Sequence, residues 1–317
     1  MTKFITTWAL AAGLTVGAAA ASAQSVGIAT SNPGSLFHNI GTAVANAANA
    51  AGLNTTITPA TSPNQFIPFV NSGGIEFGVA NFQEVSYALT GDAWWSGNVN
   101  ENLRIVGFLQ PLVEAIFVRA DSGVTSLEQL RGQPMTDGYT AQNTILPQLD
   151  AFYATAGMSR ADFEPVNVTS VVAGADAFMA GDAAGFIFAQ GAGKVREADA
   201  AVGGLRALGV ADDSDAALAA ARQHWPTAYF VTLPAGASPG VLEETTYIAF
   251  PQVVFTSSLV PDDQVYALAR AMYEGSEAMV STFPPMRAFR PADMRGDNGN
   301  VEFHPGALRF FEEIGLN

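Results

Sequence analysis

Three clusters of hydroxyl and amide side chains carry the chemistry this sequence offers. The first is Thr30-Ser31-Asn32-Pro33-Gly34-Ser35, which closes a short apolar run and precedes helical spacing at Leu36, Ile40 and Val44. Ser31, Asn32 and Ser35, backed by the free amides of a helix start, suit an anion. The second is Tyr139-Thr140-Ala141-Gln142-Asn143-Thr144, which places Thr140, Asn143 and Thr144 before another helix. The third set is Asn81 and Gln83, and separately Gln190, each just beyond a buried strand. Together these positions predict a site for a small carboxylate, a dicarboxylate or an acidic amino acid. Arg104 is the only Lys or Arg between Gln24 and Arg119. An anion in the first half must therefore be held by amides, helix dipoles and neutral side chains. Arg104 and Arg119 themselves read as surface residues of edge strands.

Catalytic sets do not emerge from the same reading. His38, His224 and His304 are far apart and lack metal-ligand spacing. His38 follows the first loop and could border a cleft, while His304 reads as a cap. There is no Gly-x-Ser-x-Gly elbow and no phosphate loop ending in Gly-Lys-Ser/Thr. No pair of acidic residues stands out. No metal and no cofactor is expected.

The elements that must position these loops alternate as short strands and amphipathic helices. Strands are expected at Ser25–Thr30, Thr55–Pro59, Ile75–Ala80, Arg104–Leu109 and Ala115–Arg119, with helices between the first three. Ser62-Pro63-Asn64-Gln65 reads as a capping box, and Pro68 should disturb the helix it opens. The pattern restarts at Thr125, with strands at Gln133–Thr136 and Gly185–Ala189. It ends with Pro261–Thr282 as one long helix and His304–Gly315 as another. Repeated βα order implies a parallel sheet with helices on both faces. The restart implies two lobes, 24–113 with 250–317 and 114–249, with a cleft at the strand ends. Trp94 and Trp95 could cover a lobe or border the cleft, and the Trp225–Phe230 segment reads as core.

Composition sets the outer limits. The chain has 317 residues, 14 Lys+Arg against 29 Asp+Glu, a formal net charge of −15, no Cys, and 49% hydrophobic residues. That apolar fraction is enough for a packed core. The acidic balance excludes a basic footprint for nucleic acid and for anionic lipid. Lack of Cys removes disulfides, thiol nucleophiles and Cys-ligated metals. Lys3, the apolar run Trp8–Gly17 and Ala21-Ser22-Ala23 read as an export signal cleaved after Ala23. The mature chain, 24–317, is expected in the periplasm, without membrane insertion and as a monomer.

Over nearly the whole mature chain the residues resemble the extracytoplasmic solute receptors of TRAP transporters of the TAXI type. The similar stretches are Ile28–Phe37, Ser62-Pro63-Asn64, Gly78–Gln83 and Asn102-Leu103-Arg104. They continue with Phe117–Val124 together with Leu127, Leu130, Arg131 and Gly132, then Gly181–Gly191, and His304-Pro305-Gly306-Ala307. Two departures fall at the ligand loops. Leu36-Phe37-His38 stands where the family usually has Tyr-Tyr-Pro, and Tyr139–Thr144 where it has Gly-Ser-Gly-Thr. The resemblance implies an α/β, two-lobed periplasmic binding fold of type II, and glutamate, glutamine or a related dicarboxylate as ligand. It also implies delivery to membrane permease subunits driven by an ion gradient, with no reaction performed. A sensor that presents solute to a signalling receptor, or an enzyme on the same fold, remains a rival reading.

Overall fold

The computed structural model describes residues 25–316. The expected export signal, with its cleavage after Ala23, lies outside the described residues. The first part of the chain forms β1 (Val26–Thr30), α1 (Leu36–Ala50), β2 (Thr55–Pro59), α2 (Pro63–Asn71), β3 (Phe77–Asn81), α3 (Phe82–Thr90) and β4 (Leu103–Phe108). The middle forms β5 (Leu112–Arg119), β6 (Pro134–Asp137), α4 (Ile145–Ala154), β7 (Glu164–Asn167), α5 (Val171–Ala180), β8 (Gly185–Ala189), α6 (Gly193–Val202), β9 (Leu205–Leu208), α7 (Asp215–Arg222), β10 (Tyr229–Leu233) and β11 (Thr245–Phe250). The last part forms β12 (Gln252–Ser257), α8 (Asp262–Glu274), α9 (Ser276–Thr282) and α10 (Pro305–Glu313).

Two separate sheets result, and each is the heart of a lobe. The first runs β2-β1-β3-β12-β4; the second runs β10-β11-β5-β8-β6-β7, with β9 also on β5. Buried apolar strands such as β3, β8 and β12 have helices packed over them, which removes apolar surface from water on both faces. The chain changes sheet at 109–111 and again at Pro251.

The sheets are mixed, which corrects the expectation of a parallel sheet. β12 runs antiparallel to both β3 and β4, and β5 runs antiparallel to β8, β9 and β11. Only Pro251 separates β11 from β12. The chain leaves the first sheet through β4 and β5 and returns through β11 and β12. The outgoing and returning strands pair side by side, β12 on β4 and β11 on β5, so they run in opposite directions.

Two helical expectations also change. α2 continues through Pro68 to Asn71. The expected 261–282 helix breaks at Gly275 into α8 and α9. A Cβ on Gly275 would stand 2.9 Å from the Cβ of Ala47 on α1 and 2.5 Å from the Ala271 carbonyl oxygen. The break lets that backbone approach α1 closely.

Candidate functional site

The first loop lies where β1 gives way to α1. Ser35 is the N-cap, and its Oγ accepts the His38 amide at 3.2 Å. The Leu36 and Phe37 amides, first in the helix, have no backbone acceptor among the described residues. Opposite them the chain leaves β6 through Gly138 and Tyr139, both at positive φ (80° and 36°). Left-handed backbone is uncommon for an aromatic residue. Here the Tyr139 ring is fully buried and its hydroxyl meets Thr136 Oγ1 at 2.7 Å, which fixes the turn.

Between these loops lies a small, partly open cavity. Ser31, Ser35, Asn81 and Glu84 face it from the first lobe. Glu114, Gln142, Thr144 and Gln148 face it from the second. Leu36, Phe37, Leu112, Ile145, Val171 and Phe188 supply apolar wall. The cleft is therefore less polar than the loop sequences imply. No Lys, Arg or His lines it.

Of the residues expected at the site, Ser31, Ser35, Asn81 and Thr144 meet at this cavity. The others do not line it. Thr140 is exposed, because the turn ties its amide to the Val168 carbonyl. Asn143 is exposed and receives a hydrogen bond from Asn64 across the cleft mouth. Asn32 is half-buried beside the cavity wall, and Gln83 is buried behind it with its Oε1 unpartnered. Gln190 accepts a hydrogen bond from Ser238 and borders a second hollow shared with Gln110, Pro111 and Arg287. His38 Nδ1 sits 3.1 Å from Thr30 Oγ1 outside the cavity lining. Burial holds its pKa below the usual value.

The residues that sequence reasoning missed are Glu84 and Glu114. Glu84 is the third residue of α3, and its carboxylate accepts the Asn81 amide at 3.1 Å. Glu114 sits on β5 and has an Oε2 with no partner. Both are buried, at 2% and 3% exposure. Burial pushes the Glu84 carboxyl up to about 7, against hydrogen bonds from Thr144 and Asn81 that favour its ionised form. Burial, and then the Glu84 charge, push Glu114 up to about 8. The signals were present in the sequence. Asn81-Phe82-Gln83-Glu84 has capping-box spacing, and Glu114 is the lone charge in Leu112–Val118.

Arg104 and Arg119 are far from this chemistry. Arg104 donates to the Glu101 and Leu103 carbonyls and pairs with Glu302 at 3.6 Å. Arg119 pairs with Asp121 on the surface. Lys194 is committed to Asp176 and Glu197, both at 2.7 Å. His304 caps α10 through Nδ1, accepting the Gly306 amide at 3.1 Å.

The lobes also touch outside this cavity. The Lys194 amide donates to the Gly34 carbonyl at 3.1 Å, and Arg287 donates to the Ala237 carbonyl at 3.0 Å. Trp94 of the first lobe stacks on Trp225 of the second, with ring centroids 6.2 Å apart. Among the described residues no helix is long and apolar enough to cross a membrane.

Solved structures share this architecture. One described as a periplasmic transporter is 13% identical, with a TM-score of 0.54 over 93% of this chain and 94% of that one. A protein of Bordetella bronchiseptica RB50 is also 13% identical, with a TM-score of 0.52 over 92% and 98% of the two chains. The fold is that of the two-lobed periplasmic binding proteins. The family model for the NMT1-like proteins matches residues 28–315, and the chain belongs to that family.

Proposed function

We propose that this chain is a periplasmic solute receptor that closes its lobes over a small molecule and delivers it to membrane permease subunits of the TRAP type. It performs no reaction in this reading. The lobes are 24–113 with 250–317 and 114–249, turning about the two crossovers. The observation that carries the reading is the small cavity between the sheets, walled from both sides by buried polar atoms without partners. Ser31 Oγ, Asn81 Oδ1, Glu114 Oε2 and Gln148 Oε1 all belong to it. Buried polar groups normally have partners, and a solute between the lobes would supply them. It would also make closure favourable, because only a ligand that prefers the closed state can shift that equilibrium.

A carboxylate end of the solute has one support, the free Leu36 and Phe37 amides at the start of α1. The α4 start offers less, since the Ile145 amide already donates to the Gln142 carbonyl and Pro147 has no N–H. A thermal-shift screen of organic acids and amino acids tests the receptor reading. A specific solute should raise the melting temperature with concentration, by mass action. No stabilisation by any small molecule, with turnover of one of them, would replace the receptor by an enzyme.

A further inference from the structure

We infer that the Glu84–Glu114 pair is the receiving pole for a protonated nitrogen of the solute, an ammonium or amidinium group. The inference rests on the receptor reading and narrows its ligand class, turning away solutes with carboxylates alone.

Four features of the cavity converge on this. First, one carboxyl comes from each lobe, Glu84 from α3 beside the first sheet and Glu114 from β5 of the second, and both line the same space. Second, no cation answers them. The lining holds no Lys, Arg or His, and the Tyr139 hydroxyl, which feels the Glu114 charge, is engaged with Thr136. A buried charge left unpaired is costly. Third, several buried polar atoms facing this space that can accept a hydrogen bond have none. The Asn81 amide already serves the Glu84 carboxyl, and Ser31 Oγ has no partner. Glu114 Oε2 and Gln148 Oε1 are also unpartnered and buried. A ligand group that fits must donate several hydrogen bonds, as an ammonium does with three N–H. Fourth, the remaining polar lining is neutral, from Ser31, Ser35, Gln142 and Thr144, so the two carboxyls are the only ionisable side chains facing this space among the described residues.

The arrangement also couples binding to closure. In the unliganded protein closure brings two carboxyls together in a dry site, which is opposed once both ionise. A cation between them removes the repulsion, so the closed state prefers a solute that carries one. Such binding ionises the pair and releases protons between roughly pH 6 and 8.

The test offers the full mature protein a defined mixture at about pH 8. The mixture holds the common amino acids, their matched 2-oxo acids, succinate, malate, putrescine and cadaverine. Unbound molecules are removed by gel filtration and the retained one is identified by mass. The expected result is a nitrogen base, released at about pH 5.5. Titration calorimetry should then show affinity rising with pH from about 6 to 8, with proton release. Glu114→Gln should weaken binding by about tenfold or more, the scale of one hydrogen bond to a charged group, and should flatten the pH dependence. Circular dichroism confirms that the variant folds. Retention of a nitrogen-free acid, or affinity falling as pH rises, overturns the inference and leaves the receptor reading standing. Retention of nothing overturns the receptor reading, and the inference falls with it.

Discussion

Glu114 shows what a single buried carboxyl does to this protein without any ligand. Its folded-state pKa is raised from 4.5 to about 8, and that of Glu84 to about 7. The folded state therefore holds these protons more tightly than the unfolded chain. The sign follows: stability is full below about pH 4.5 and is lost as pH rises through 7 and 8. The loss should be on the order of a few kcal/mol for the pair. Urea unfolding of the unliganded protein from about pH 5 to 8.5 should show it, and Glu114→Gln should remove much of the slope. A midpoint independent of pH in the wild type would contradict the burial of both groups. Asn81→Ala should weaken solute binding by about 1–3 kcal/mol, because it deletes a buried acceptor and the anchor of Glu84. Thr140→Ala should change affinity by under about 0.5 kcal/mol, as expected for an exposed side chain; isothermal titration decides both. Ser31, Ser35, Asn81 and Thr144 were legible as cavity residues because each follows a strand or starts a helix. Thr140 was not, since the positive φ of Tyr139 sets which way that loop turns, and a sequence does not display that. Glu114 was hidden by starting its strand at Ala115 when it begins at Leu112.

At the scale of elements, α1 is held against β1 by the absence of a side chain. A Cβ on Gly41 would stand 2.3 Å from Thr30 Cγ2. Thr30 also holds His38 of the same helix through its Oγ1. Gly41→Ala should therefore lift α1 and cost about 1–3 kcal/mol of stability, the range for overpacking. It should weaken solute binding too, because the Leu36 and Phe37 amides move with the helix. Thermal unfolding and titration of this variant test both effects, and a wild-type melting temperature would show that the contact is slack. The strands and helices themselves were largely legible from period and caps. Strand direction was not, because alternation of β and α does not report a chain that leaves a sheet and returns to it at Pro251. The break at Gly275 was hidden for a related reason. Its cause is Ala47 on α1, far away in sequence.

At the scale of the molecule, the account is one of two lobes meeting over a solute. Trp94 and Trp225 stack between the lobes, with Trp225 also against Phe250 beside the Pro251 crossover, and Trp225 is fully buried there. Rotation of one lobe against the other must change this stack, so tryptophan emission should shift on closure. Because protonation quiets the Glu84–Glu114 repulsion, the unliganded protein should shift the same way as pH falls from about 8.5 to 6. Emission that ignores pH and solute alike would mean that the lobes do not move. The two-lobed class was legible from the restart of the βα pattern near Thr125; the pairing of the tryptophans was not, since their residues lie in different lobes. The most direct measurement is native mass spectrometry of the purified protein beside Ala189→Phe, which fills the cavity where β8 ends. The account predicts one small-molecule adduct per chain in the wild type and none in the variant, with both folded by circular dichroism. An adduct that persists in Ala189→Phe, or a wild type that carries none after exposure to metabolites, would contradict it.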